Sequence, residues 1–396
     1  MASPPPPVRR RVVVTGLGAV SCCGFGKDGF FDGLFGPAPV GERRVTGFDP
    51  ADWFDAKQAR RLDRFTHLSV AAAQMAVDDA GEIGFDPARA GVYFATGVGG
   101  LETIEHSTQT LLEKGPRRVS PFTVPMIMPN RGAAEISMRF GLRGPCETIT
   151  TACAAGTHSI GAGFRAVADG RCDVVVAGGG EAGMTPVGIA AFTNMTALSA
   201  TGWSRPFDRR RDGFVIGEGA GALVIETLDR ARARGAHIYG EILGAASNAD
   251  AHHITAPSPG GTGAAVCIEL ALEDSGIGPD EVAHINAHGT STPLNDLAEA
   301  EAIRKVFSSS APPVTSIKGV TGHSLAAAGA LEAVASLMTL ERGIIPPTAN
   351  HEEPDPEIEL DIVHGEPRPI GPGAVISNSF GFGGHNGCIV VAPVED

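Results

Sequence analysis

One pattern occurs twice in this chain and constrains its fold more than any other feature. The run Glu147-Thr-Ile-Thr-Thr-Ala-Cys153-Ala-Ala-Gly156-Thr-His158-Ser-Ile-Gly-Ala-Gly alternates β-branched and small residues, then passes into a helical pattern (Ile160, Phe164, Ala168). Much later, Val314-Thr-Ser-Ile-Lys318-Gly-Val-Thr-Gly-His323-Ser-Leu-Ala-Ala-Ala-Gly329 repeats that form: a strand, a reactive residue, a helix of small residues. The pattern restarts after about residue 238, so the economical reading is an internally duplicated α/β unit whose matching turns face one another. That pairing would set a nucleophile from one half opposite histidines from the other.

The rest of the chain fits such a unit. Arg11-Val-Val-Val-Thr-Gly-Leu-Gly-Ala-Val reads as a buried first strand closed by glycines. Its Gly16-Leu-Gly18 invites a dinucleotide reading, but position 21 is serine and no acidic residue follows at the expected distance. Residues 60–82 carry helical spacing. Further buried strands are expected from Ala90, Cys172 and Ile242, around His284, and on both sides of the glycine turn after Phe380. Strands apolar on both faces, separated by helices, point to a parallel or mixed sheet covered by helices. Residues 1–10 read as a proline-rich flexible leader, 11–238 as the half carrying Cys153, and 239–396 as the half carrying His288 and His323.

Composition excludes several classes. A net charge of −14 disfavours nucleic acid as a partner, and no apolar run reaches the ~18 residues of a membrane span. The amino-terminal residues lack the apolar stretch of a secretion signal. Seven cysteines without a CxxC pair argue for a reduced, cytoplasmic setting and against disulfides or a metal site. The arginines at 205 and 209–211 could bind phosphate; an ion-pair network with Asp208 and Asp212 is the preferred reading.

Cys153 is expected at a helix N-terminus, where unpaired N–H groups and the helix dipole would lower the thiol pKa. Taken alone it is better explained as a buried structural cysteine. His288, in Asn286-Ala-His-Gly-Thr-Ser-Thr292, and His323 occupy similar glycine-flanked turns. A Cys–His hydrolase needs one histidine as base and a third group to orient it. Two histidines in matching turns suit another task, holding a carbonyl oxygen as negative charge develops on it.

With these motifs in order, the sequence resembles the β-ketoacyl-acyl-carrier-protein synthases of the thiolase fold, closest to the bacterial synthase II type. Thr151-Ala-Cys-Ala-Ala-Gly156 resembles the nucleophile turn. Asn286-Ala-His-Gly-Thr-Ser-Thr-Pro and Lys318-Gly-Val-Thr-Gly-His resemble the two histidine motifs, and Asn378-Ser-Phe-Gly-Phe-Gly-Gly-His-Asn the C-terminal glycine-rich loop. The likeness runs from Val12 to about Val391. It implies a layered αβαβα fold with two mixed five-stranded sheets. It also implies decarboxylative Claisen condensation of malonyl-carrier protein with an acyl chain on Cys153, and no cofactor beyond the phosphopantetheine of the acyl carrier protein.

Residue by residue, the resemblance implies His288 and His323 for the enolate, with Lys318 and Glu332 as a supporting charged pair. The N–H groups of Cys153 and Phe382 would form the oxyanion hole, and Phe382 would also gate the cysteine. Thr290 and Thr292 would bind the pantetheine arm. Val98, Gly188 and Phe192 would line the acyl pocket, the small Val98 leaving room for a medium or long chain. Arg60, Arg61, Arg64, Arg117 and Arg118 would dock the acidic carrier protein. Thr196 stands where arginine is expected in the docking face, and His385 where many relatives have threonine.

A homodimer is implied by the resemblance, with a heterodimer as the other arrangement. The alternative functions are a ketosynthase subunit of a discrete polyketide or polyene pathway, a non-catalytic chain-length partner and a degradative thiolase. Cys153 argues against the non-catalytic partner. A thiolase would carry a second active cysteine, and Cys388 falls at a strand position.

Overall fold

The computed structural model describes residues 9–395. Its first half is built on β1 (Val12–Ser21), β2 (Ala90–Ala95), β3 (Cys146–Glu147), β4 (Val174–Glu181) and β5 (Gly219–Thr227). The second half follows with β6 (Gly240–Ala249), β7 (Val282–Asn286), β8 (Val314–Thr315), β9 (Ala374–Gly381) and β10 (His385–Ala392). Across the molecule the order is β3-β2-β4-β5-β1-β6-β10-β9-β7-β8. Inward from each outer edge the relations are the same. β3, β2 and β4 are parallel, then β5 and β1 antiparallel; β8, β7 and β9 are parallel, then β10 and β6 antiparallel. The short strand Gly24–Phe25 hairpins onto β1, and among the described residues the two five-stranded arrays join into one sheet where Val13 and Val14 pair with Glu241 and Gly240.

Helices fill the space between and outside the sheets. Helix α1 (Arg64–Ala80) covers the first sheet, α4 (Thr262–Ser275) and α5 (Pro293–Phe307) cover the second, and α3 (Ala155–Ala168) and α6 (Ala328–Arg342) lie between them. The cores follow these layers. A central cluster unites Ile160 and Phe164 of α3 and Leu331, Val334 and Leu337 of α6 with strand residues of both halves. Separate clusters lie beneath α1 and beneath α4 and α5. Strands buried on both faces need no polar alternation, which is why β1 and β4 read as continuous apolar runs. The architecture is the thiolase-like αβαβα arrangement with two mixed sheets.

Three local expectations change. The strand expected before Cys153 is only Cys146–Glu147, because the chain leaves the sheet edge at Thr148 to carry the cysteine towards the other half. Of the leader, residues 1–8 lie outside the described residues, whereas Arg9 and Arg10 are tied to the body through Asp274 at 2.5 Å and Asp173 at 3.2 Å. The arginine cluster is an ion-pair network, with Arg210 on Asp208 and Glu352 and Arg211 on Asp355. Asp212 stands outside it and accepts from Ser199 and Thr201 instead.

Gly16 and Gly18 serve packing. A Cβ on Gly18 would lie 2.0 Å from the Ala72 carbonyl oxygen of α1, and one on Gly16 2.1 Å from that of Ala76. Gly18→Val should therefore lower stability by about 1–3 kcal/mol, read as a lower urea midpoint. Gly29→Ala, in open space within the helix Gly26–Gly33, should hold or raise it. Equal midpoints for the two variants would contradict this packing.

Candidate active site

Cys153 is set by a strained turn. Ala152 has φ +50°, and helix α3 starts two residues after the cysteine without a side-chain cap, its first N–H, that of Ala155, donating to the Ala152 carbonyl at 3.1 Å. His288 leaves the sheet just beyond the end of β7. Its N–H donates to Glu299 Oε1 at 2.8 Å and that of Gly289 to Glu299 Oε2 at 2.7 Å. His323 follows the short helix Lys318–Thr321 and is strapped to the 215–217 segment: its N–H donates to the Val215 carbonyl and its own carbonyl accepts from Gly217. These turns bring His323 Nε2 to 3.0 Å from Cys153 Sγ, and the two imidazoles to 5.3 Å between centroids, nearly perpendicular. All three residues are buried at the base of one cavity of about 680 Å³.

Lys318 fixes the chemistry of His288. It is buried and paired with Glu332, donates to the His288 carbonyl at 2.6 Å, and lies 3.3 Å from His288 Nδ1. An ammonium offers donors only, so Nδ1 must accept and the ring proton sits on Nε2, facing the cavity. Burial and the Lys318 charge hold both histidines well below the ordinary imidazole pKa. His288 is thus a neutral donor aimed into the site.

The ligand atoms of Cys153, His288 and His323 lie within 4.8 Å of one another, a spacing that three metal ligands could share. Metal binding needs an Nε2 lone pair, and Lys318 places a proton there on His288. The set suits proton donation rather than a metal.

The thiol behaves differently from the expectation. Burial pushes Cys153 up to about 11, and the Lys318 charge and the N–H groups of Phe382 and Cys153 offset only part of this. Helix termini lower a thiol pKa where water reaches it; here Cys153 is enclosed with Met184, Phe214, Ile216 and Leu325. The same N–H groups of Cys153 and Phe382 converge on the cysteine. Gly381 permits this, since a Cβ there would lie 3.1 Å from the Cys153 nitrogen.

Val98, Phe192, Thr290, Thr292 and Phe382 line the cavity. Thr290 and Thr292 hydroxyls are 2.9 Å apart, and Thr292 also caps α5 by accepting from Asn295 N–H. Gly188 is not on the wall: it lies in the first turn of the helix Pro186–Asn194, where a Cβ would meet the Gly183 carbonyl at 2.3 Å. Arg60, Arg117 and Arg118 are exposed, and Arg61 stacks on Phe122 at 4.1 Å. Arg64 is committed inward, to Glu218 and the Val45 carbonyl, and is not free for docking. Sequence reasoning missed Glu299 and Glu181, buried carboxylates on the cavity wall, both pushed up to about 7 by burial. A glutamate among the buried Ala298, Ala300 and Ala302 of α5 was the available signal for Glu299.

A buried cysteine facing two neutral histidines across a duplicated αβαβα fold defines a condensing enzyme of the thiolase-like class. The chain belongs to the beta-ketoacyl synthase family: its N-terminal domain model matches residues 37–231 and its C-terminal domain model residues 239–352. It is 44% identical to "3-oxoacyl-[acyl-carrier-protein] synthase 2" of Synechocystis sp., over 96% of this chain and 97% of that protein. It is 43% identical to the protein of that name from Staphylococcus aureus, over 98% and 99%. Among solved structures it is similar to the ishigamide ketosynthase/chain length factor, with a TM-score of 0.93, 35% identity and 98% and 100% coverage. A type II ketosynthase in complex with its acyl-carrier protein, AntDE:AntF, gives 0.90 at 32% identity, covering 98% and 100%.

Lys318→Met should cost about 3–5 kcal/mol by stranding Glu332, and Lys318→Met/Glu332→Leu should regain most of it, both read by urea unfolding. Decarboxylation of malonyl-carrier protein should stay depressed in the double variant, because nothing then holds the His288 tautomer. Activity that returned together with stability would show the pair to be structural only.

Proposed function

We propose that this chain extends a Cys153-bound acyl chain by two carbons taken from malonyl-acyl carrier protein, as in the elongation step of fatty-acid synthesis. The observation that carries this is the meeting of Cys153 from one half with His288 and His323 from the other in a single buried cavity. In this reading residues 11–238 form the nucleophile half and 239–396 the histidine half.

The Cys153 sulfur attacks the thioester of an acyl-carrier protein, and the oxygen that becomes negative receives the N–H groups of Cys153 and Phe382. The pantetheine thiol leaves with the proton lost by Cys153. Malonyl-carrier protein then enters past Phe382, its pantetheine arm hydrogen-bonded by Thr290 and Thr292. As carbon dioxide leaves, charge moves to the thioester oxygen, where the His288 and His323 donors stabilise the enolate. The enolate carbon forms a bond to the acyl carbon, the bond to Cys153 breaks, and the sulfur takes a proton from solvent. Neutral histidines suit this task, since a preorganised donor in a buried site needs no reorganisation as charge develops. Lys318 with Glu332 holds His288 in its donor form.

Val98 and Phe192 line the acyl end of the cavity. Arg60, Arg61, Arg117 and Arg118 form the docking face for an acidic carrier protein, where local charge steers encounter despite the net negative charge. The protein works in the cytoplasm as a homodimer, and no cofactor beyond the carrier's phosphopantetheine takes part. Support for a partner subunit comes from helix α2 (Leu101–Lys114), which buries none of its residues and leaves Leu112 80% exposed, and from the exposed Val124 and Met128. The likeness to the ishigamide ketosynthase/chain length factor favours a second reading, a ketosynthase subunit of a polyketide or polyene pathway, the heterodimer being its assembly.

Incubation with acyl- and malonyl-carrier protein, with products resolved by mass, should show a two-carbon extension; none from any donor would overturn the assignment. Cys153→Ala should abolish acylation. His323→Ala should slow decarboxylation about 100-fold or more while acylation falls much less. Equal loss of both half-reactions would contradict the role given to His323.

A further inference from the structure

Glu181 is a buried carboxylate on the wall of the cavity that the steps above do not use. It ends β4, and its partners come from both halves of the chain. Thr96 Oγ1 donates to Oε1 at 3.0 Å and Gly97 N–H to Oε2 at 2.7 Å. The N–H groups of Val98 and Ala326 donate to the same carboxylate. The approach is so close that a Cβ on Gly97 would lie 2.6 Å from Oε2. Val98 lies on the cavity wall, and Ala326 follows the strained Leu325 (φ +49°) just after His323. One carboxylate therefore pins the turn bearing Val98 and the turn leaving His323. Buried acceptors of this kind cost free energy unless every donor is used.

We propose that Glu181 is a positioning residue that sets the depth of the acyl chain, by locking the Val98 turn against the His323 turn across the join between the halves. The inference rests on the condensation reading above, in which Val98 bounds the acyl end of the cavity. Donors long enough to pass Val98 depend on that lock, and shorter ones do not. Glu181 also acts at a distance on the nucleophile: its charge opposes the Cys153 thiolate and the Lys318 charge favours it, while His288 and His323, held neutral by burial, face the same thiol.

The test compares wild type, Glu181→Gln and Glu181→Asp with a medium-chain and a long-chain acyl-carrier protein, and follows Cys153 alkylation by iodoacetamide against pH. Glutamine keeps the shape but turns a donor towards N–H groups; aspartate keeps the charge but falls a methylene short. Both should lower the long-to-medium ratio of kcat/KM at least tenfold. Glutamine alone should move the alkylation midpoint to lower pH. If the wild type extends both donors and the ratio in a folded variant stays within twofold, the inference fails. A wild type that extends neither overturns the condensation reading itself. Should both variants fail to fold, Thr96→Val removes one of the donors and should lower the ratio in the same direction; an unchanged ratio there sinks the inference equally.

Discussion

The site depends on a buried ammonium whose donors are all spoken for. Lys318, paired with Glu332, turns its remaining donors to the carbonyl and Nδ1 of His288. Two charges in the interior repay their desolvation only when geometry and hydrogen bonds are complete, so such a pair is a weak device for stability. It is a strong device for specifying a tautomer. The ring that must donate to a developing oxyanion cannot become an acceptor while Lys318 is in place, and burial keeps it neutral. A cation that would otherwise repel the charge of the imidazolium form thereby makes the neutral form the useful one.

Duplication supplies the geometry for this. Because the halves share one order of parallel and antiparallel strands, their equivalent strand-to-helix turns face each other across the paired helices α3 and α6. The first half contributes a cysteine at its turn, and the second contributes His323 at the equivalent turn, with Lys318 just before it. His288 arrives from the neighbouring parallel strand, as expected where reactive groups gather at the carboxyl ends of strands. Glu299 then fixes the backbone of the His288 turn, and Glu181 that of the turn at Gly97, with hydrogen bonds that cross between elements.

Much of this could be read from the sequence because turns have local signatures. The small residues after Cys153, the glycines around His288 and His323, and the two-sided apolar strands each follow from short-range sterics. What could not be read depends on surroundings far away in the chain. A nearby helix N-terminus favours a thiolate, yet the Cys153 thiol is raised because Phe214, Ile216 and Leu325 close over it from other elements. Arg64 looked like part of a docking cluster, yet a glutamate 154 residues away claims it. Gly188 matches a pocket position by resemblance, yet packing against Gly183 accounts for its missing side chain. Local pattern gave the positions of the reactive groups, and tertiary burial decided their protonation.

His288 acts as a neutral imidazole with its proton on Nε2. Long-range proton–nitrogen correlation on protein labelled with nitrogen-15 histidine, with His288→Ala to assign the signal, reads this state directly. The expected result is a protonated Nε2 and a bare Nδ1, unchanged between about pH 6 and 8, where an ordinary histidine titrates. An imidazolium in that range, or a proton on Nδ1, would contradict it.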